Sequence, residues 1–228
     1  MYIPPKKLRD IFMAKHYVSN KDETVRMFES DWMEALSHVH WTVPLWLYSP
    51  IILYFFYRGY VEFDLSLSQI VLMFLIGIVV WTFTEYTLHR FVFHFIPKSS
   101  WGKRLHFIVH GVHHDYPKDS KRLVMPPSVS IPLATFFYVL FDLIIGNVDV
   151  APFFVGFLVG YLFYDTTHYA VHHFNMHNKF WLAIKNHHMK HHYQNPDLGY
   201  GVSQPTWDYV FGTTFPVKEE VDIKDLTD

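Results

Sequence analysis

The chain contains no cysteine, which excludes disulfides, thiolate zinc sites, iron–sulfur clusters and a cysteine nucleophile. Charge is also scarce. Asp, Glu, Lys and Arg make up 18% of the 228 residues, and four windows hold none: Trp41–Tyr57, Leu65–Thr84, Leu123–Phe141 and Val150–Tyr164. A net charge of -2 leaves no basic excess to grip a polyanion, so no nucleic-acid partner is expected. The first 40 residues have no basic stub followed by an apolar stretch and a small-residue cleavage site, so no signal peptide is expected. With no internal repeat and no low-complexity linker, residues 1–228 read as one domain.

Apolar residues fill the gap that charge leaves: half the chain is hydrophobic and 19% aromatic. A spanning helix needs about 20 apolar residues. Leu65–Thr84 meets that length. The other windows are interrupted by Pro44, Pro50, Pro126, Pro127 and Pro132, or, from Val150, are short unless Asp165 and its successors continue the helix. Membrane helices tolerate proline where neighbours satisfy the freed backbone groups. The expected fold is all-α and integral to a membrane, with four transmembrane helices within 41–167. A cytosolic segment over 1–40 precedes them, a cytosolic connection over 85–122 divides them, and a cytosolic helical cap over 168–228 follows. With four spans, 18 of the 19 Lys and Arg fall on one face and only Arg58 on the other. The positive-inside rule makes that face cytoplasmic.

Histidine is the outlier. Fourteen of the 17 lie in four short segments, all on the basic face: His89–His94, His106–His114, His168–His177 and His187–His192. Two begin where a span ends, so separate membrane helices deliver imidazoles to one interface. Residues three or four apart share a helix face, and two imidazoles so placed can bind one ion or neighbouring ions. His110/His114, His168/His172 and His188/His192 have that spacing, with His113 and His191 one residue before the second member. His89 and His94 are five apart, about 140° on a regular helix, so they serve different metals or the helix breaks between them. Ten candidates suit a pair of metals rather than one. His106, His173, His177 and His187 read individually as ordinary histidines at the edges of the clusters, and His16, His38 and His40 as unrelated to them. An imidazole ligand needs its second nitrogen hydrogen-bonded. Glu85, four residues before His89, and Asp165, three before His168, are candidates for that task, with His106, His173 and His187 as further outer candidates.

Breaking an unactivated C–H bond calls for a redox metal that activates oxygen, which favours iron over zinc if the reaction is an oxidation. A metal transporter would need polar groups along a path through the spans, but the span centres carry no charge and the histidines collect on one side. A haem held by two histidines would need them on facing helices within the bilayer.

The patterns HxxxxH, HGxHH, HYxxH and HxxHH resemble the membrane-bound histidine-box superfamily of fatty acid hydroxylases and sterol desaturases. The longer strings WTFTEYTLHRFVFH, HGVHHDYPKDSKRLVMPP, YDTTHYAVHH and GYGVSQPTWDYVFGT resemble its sphingolipid fatty acid 2-hydroxylase branch, as does FESDWMEALSHVHWTVP before the first span. The resemblance covers nearly the whole chain. It implies ten metal ligands, His89, His94, His110, His113, His114, His168, His172, His188, His191 and His192, holding two ions, with zinc and iron both associated with the family. The choice of His188 over His187 rests on the HxxHH spacing. The implied reaction is oxygen-dependent hydroxylation at carbon 2 of a sphingolipid acyl chain or its fatty acid precursor. The alternatives within the superfamily are sterol or carotenoid hydroxylation, or desaturation. Many relatives carry a cytochrome-type haem domain, for which this chain has no room, so a separate cytochrome-type or ferredoxin-type electron donor is expected. The endoplasmic reticulum is the expected membrane in a eukaryote and the inner membrane in a bacterium. Tyr116, Trp207 and Asp208 are read as packing residues.

Overall fold

The computed structural model describes residues 17–216; His16 lies outside them. Among the described residues there are nine α-helices, three π-helical turns and no strand. In chain order the α-helices are α1 (Asp31–Leu36), α2 (Val43–Tyr57), α3 (Leu67–Leu88), α4 (Ser100–His106), α5 (Val112–Asp115), α6 (Pro127–Ile145), α7 (Val150–His173), α8 (Lys179–Tyr193) and α9 (Thr206–Phe211). The π-turns are π1 (Arg58–Glu62), π2 (His89–Phe93) and π3 (Phe107–Gly111).

Among the described residues, three stretches are long and apolar enough to cross a membrane: Leu67–Phe93, Pro127–Ile145 and Val150–His173. The first expected span is the exception. Its α-helix has 15 residues, about 22 Å, and then widens into π1, where Arg58 pairs with Glu62 at 3.0 Å. The apolar run is spent at Tyr57, short of the roughly 30 Å hydrocarbon core. Local chemistry sets the other ends. Ser66 and Gln69 close a reciprocal capping box at the start of α3. Pro126, extended, and Pro127 at the first helical position delay α6 by four residues relative to its uncharged window. Leu123–Pro126 stays non-helical as a result. Asp165 and its successors do continue α7, as far as His173.

Helix α7 is the hub. It is buried along most of its length, whereas few residues of α3 and α6 are buried. Phe153, Phe154, Phe157, Leu158 and Tyr161 of α7 pack with Trp81, Tyr48 and Phe55 in the core. Apolar association inside a bilayer relies on close backbone approach at small residues, and α3 and α7 achieve it reciprocally. A Cβ on Gly77 would sit 2.0 Å from the Phe153 carbonyl oxygen, and one on Gly156 would sit 1.9 Å from that of Phe74. This contact fixes the ends of α3 and α7, where histidines begin.

Candidate metal centre

The five-residue separation of His89 and His94 is resolved by π2. The His94 N–H bonds the His89 carbonyl at 3.1 Å, an i to i+5 bond that widens the helix by one residue. The wider turn swings the two imidazoles onto one side, with ring centroids 4.9 Å apart. Turn π3 does the same ahead of α5, with the Val112 N–H reaching Phe107. Adjacent histidines then diverge, because neighbours on a helix point about 100° apart.

The outcome is two groups of five imidazoles. His89, His94, His110, His114 and His191 form the first, and His113, His168, His172, His188 and His192 the second; the nitrogens of each group lie within 4.8 Å of one another. The groups abut, with the rings of His114 and His192 stacked at 4.3 Å. Each pair predicted at helical spacing falls in a single group, while His113/His114 and His191/His192 are split between the two.

The nitrogens cannot satisfy one another. His110 Nε2 lies 3.1 Å from His89 Nε2, 3.2 Å from His94 Nε2 and 3.0 Å from His114 Nε2. A ring nitrogen has one in-plane N–H or one lone pair, so at most one of the three contacts is a hydrogen bond. In His89, His191 and His168 the proton can be placed, because Nδ1 faces a backbone carbonyl: Tyr200 at 2.5 Å, Leu198 at 2.7 Å and Leu123 at 3.0 Å. A carbonyl only accepts, so Nδ1 donates and each Nε2 turns a lone pair to its group. In the second group, His168 Nε2 is 2.9 Å from His113, and His188 Nε2 is 3.0 Å from His172 and 3.1 Å from His192. With metal–nitrogen bonds of about 2.0–2.1 Å, nitrogens at these separations suit adjacent ligands of one cation. The donor set therefore fits an imidazole-bound metal in each group.

Burial first, and neighbouring imidazoles second, hold His94, His110, His113, His114, His188, His191 and His192 below the ordinary histidine range. They are neutral at pH 7, the form that binds metal.

The outer candidates are placed differently. Neither Glu85 nor Asp165 touches an imidazole. Glu85 accepts from the N–H groups of Val202 and Ser203, both at 2.8 Å, and from the Ser203 hydroxyl at 2.5 Å. Asp165 accepts from the Met125 N–H at 3.2 Å and the Tyr161 hydroxyl at 2.9 Å. Backbone carbonyls take the imidazole protons instead, and a carbonyl has no signature in a sequence. His106, His173 and His187 lie outside both groups. His173 stacks on Tyr169 at 4.7 Å, and His187 Nε2 meets Asp208 Oδ2 at 3.1 Å. Asp208, read as packing, is a fully buried carboxylate with four donors. Burial alone would raise its pKa, but the His187 and Thr213 side chains and the Gly201 N–H hold it below the usual range. An acid inside the aromatic string WDYVF was the available signal.

A cavity of about 300 Å³ reaches the histidines from one side. His110 of the first group and His113 and His168 of the second stand in its wall. The rest is mainly apolar and includes Phe28, Met33, Phe93, Ile108 and Val124.

Residues 74–213 match the fatty acid hydroxylase family. The dihydroceramide fatty acyl 2-hydroxylase FAH1 of Arabidopsis thaliana is 40% identical over 84% of this chain and 80% of its own. The fatty acid 2-hydroxylase of Rattus norvegicus is 37% identical over 88% of this chain and 59% of its own. A solved structure described as full-length scs7p, with only the hydroxylase domain visible, superposes with a TM-score of 0.78 at 34% identity, covering 84% of this chain and 73% of that one. Both histidine groups lie inside the matched segment, and the chain belongs to the fatty acid hydroxylase family.

Proposed function

We propose that this protein hydroxylates carbon 2 of the acyl chain of a ceramide, a dihydroceramide or their fatty acid precursor, at a pair of metal ions held by the two histidine groups. One observation carries the reading: a mainly apolar cavity ends on imidazoles of both groups at once. Carbon 2 adjoins the carbonyl, so the amide or carboxyl end must sit beside the histidines while the alkyl tail extends away through the apolar walls. A named 2-hydroxylase of dihydroceramide acyl chains, 40% identical to this chain, supports the same substrate class.

The ten ligands in this reading are His89, His94, His110, His114 and His191 for one ion, and His113, His168, His172, His188 and His192 for the other. When bound, redox-active ions, with iron preferred, supply the oxygen-activating chemistry that side chains lack. The balance is one C–H bond, one O₂, two electrons and two protons giving one C–OH and one water, so an electron donor of cytochrome or ferredoxin type is required. The protein's own contribution is positional. The Tyr200, Leu198 and Leu123 carbonyls fix three imidazole tautomers, and the apolar walls hold the chain and keep water from the oxidant.

Residues 1–228 form one domain in this reading. Val43–Glu62, too short as an α-helix alone but extended by π1 with its Arg58–Glu62 pair at the far end, completes a set of four spans, and α4, α5, α8 and α9 form a cap on the cytoplasmic side, which 18 of 19 Lys and Arg favour. The membrane is the endoplasmic reticulum in a eukaryote and the inner membrane in a bacterium. Because the chain has no cysteine, a single thiol reports topology cleanly. The exposed Lys121→Cys variant is expected to react with an impermeant maleimide only from the cytoplasmic side, and labelling from outside would overturn the arrangement.

Lipid mass spectrometry under ¹⁸O₂ in a host supplying the donor tests the function. Label is expected on carbon 2 of sphingolipid acyl chains; label on a sterol or a distal carbon would reject the substrate. The cavity has its own test. Ser128→Trp, at the start of α6 in the cavity wall, is expected to lower turnover of long acyl chains by at least about tenfold, equivalent to about 1.4 kcal/mol, with metal content unchanged. Unaltered turnover would move the substrate path elsewhere.

A further inference from the structure

The two histidine groups differ in how they are supported. Leu198 and Tyr200 offer the carbonyls that accept from His191 and His89, both of the first group, and both stand on one short turn. That turn is tied down on every side. Asp208 Oδ1 accepts from the Tyr200 N–H at 2.9 Å and Oδ2 from the Gly201 N–H at 2.8 Å. The Thr213 hydroxyl donates to Asp208 at 2.7 Å, and the Thr213 carbonyl accepts from the Gly199 N–H at 2.8 Å. Glu85 takes the next two N–H groups, of Val202 and Ser203. The turn needs its glycines: Gly199 has φ +73°, and a Cβ on Gly201 would stand 2.1 Å from the Gln204 carbonyl oxygen and 2.9 Å from Asp208 Oδ2.

The second group has no such turn. His168 alone donates to a carbonyl, that of Leu123, whereas Nδ1 of His113, His172, His188 and His192 is buried with no hydrogen-bond partner among the described residues. The route from Asp208 to an imidazole therefore leads to the first group only: carboxylate to the Tyr200 and Gly201 N–H groups, Tyr200 carbonyl to His89, Leu198 carbonyl to His191.

We infer that Asp208 is a positioning residue that holds the Leu198–Ser203 turn and thereby sets the affinity of the first metal, and not the second. This rests on the two-metal reading above. Asp208 touches no imidazole of either group and makes no contact with the cavity; its partner imidazole, His187, lies outside both. In Asp208→Asn an amide NH₂ replaces one carboxylate oxygen and faces a donor it cannot accept from, either a turn N–H or the Thr213 hydroxyl with its turn N–H. Loss of an outer support of this kind commonly weakens metal binding by about 10–100-fold.

The test uses the purified full chain loaded with Zn²⁺ and follows release to a chelating dye. Wild type is expected to release two ions slowly. Asp208→Asn is expected to release one of them about 10–100-fold faster and the other at the wild-type rate. His172→Ala removes a second-group ligand and leaves the first-group ion alone. In the Asp208→Asn/His172→Ala double variant that remaining ion is expected to leave fast. A general loss of structure would accelerate both ions alike, and this outcome, or two slow ions in Asp208→Asn, or a slow remaining ion in the double variant, overturns the inference. Should Asp208→Asn not fold, Thr213→Val removes one donor and keeps the carboxylate; a smaller acceleration of one ion is expected, and none would overturn the inference. Wild-type protein holding fewer than two Zn²⁺ would instead reject the two-metal reading.

Discussion

His192→Ala is expected to abolish hydroxylated product and to lower bound metal from two ions per chain toward one. His192 is 1% exposed, its Nε2 lies 3.1 Å from that of His188, and its ring stacks on His114 of the other group at 4.3 Å. The substitution removes a proposed ligand and leaves an imidazole-sized hole between the two groups. Large-to-small changes at buried sites cost about 2–5 kcal/mol from packing alone, and the lost metal bond adds to that. The fall in turnover should exceed the roughly 10–100-fold that follows loss of an outer-shell contact. His173→Ala provides the contrast, since His173 stacks on Tyr169 outside both groups; its turnover is expected to stay within a few-fold of wild type. Product quantified by mass spectrometry, beside metal content from elemental analysis, decides the matter. Normal product and two ions in His192→Ala would remove His192 from the ligand set.

The contrast between His192 and His173 also marks what could be read before any coordinates. Four-residue spacing placed His168 with His172 and His188 with His192, because on a regular helix sequence separation is angular separation. It could not place His89 with His94. Their union depends on one widened turn, π2, whose cause lies in how the end of α3 meets the rest of the fold. Nor could spacing sort His113 from His114 or His191 from His192, since the sorting is done by α5 and α8 lying between the two groups. The carboxylates Glu85 and Asp165 are singled out by their place one turn before His89 and His168, but the sequence pairs them with imidazoles and the structure pairs them with backbone. Each ties down a stretch of backbone that carries a carbonyl to the histidine one turn further along its own helix: Glu85 holds Val202 and Ser203 near Tyr200, and Asp165 holds Met125 near Leu123. Such relays join residues more than 100 positions apart in one case and 40 in the other, and a side-chain alphabet records only their first link. Spans follow the same logic. Uncharged length identified α3, whereas α7, whose uncharged window is the shortest, becomes long enough only because the helix continues through Asp165, and Val43–Tyr57 ends in a charged π-turn and falls short.

Stripping the metals is expected to loosen α8 ahead of the rest of the protein. Its buried residues are Ile184, His188, His191 and His192, so one aliphatic side chain and three proposed ligands seat the helix on the bundle. Without cations the converging Nε2 atoms face one another at about 3 Å, and because each offers either one N–H or one lone pair, a change of tautomer satisfies some of these contacts and leaves the others unpaired. Helix α7, held by the apolar core against α3, has no such dependence. Hydrogen exchange should therefore rise over residues 179–193 on chelation while protection over 150–165 persists, and equal loss in both would show that the metals stabilise the fold globally. Acid should deepen the effect. The imidazoles of His188, His191 and His192 lie below the ordinary value of 6.5 in the folded chain. As pH falls below about 6.5 the unfolded chain binds protons that the folded chain refuses, and stability drops by up to about 1.4 kcal/mol per pH unit for each such group. The metal-free protein should thus unfold steeply between about pH 6.5 and 5, and the metal-loaded protein should resist until protons displace the ions, because bound cations hold the same nitrogens in their neutral form. A thermal midpoint of the metal-free protein that is flat across this interval would mean that α8 is seated by something other than its histidines.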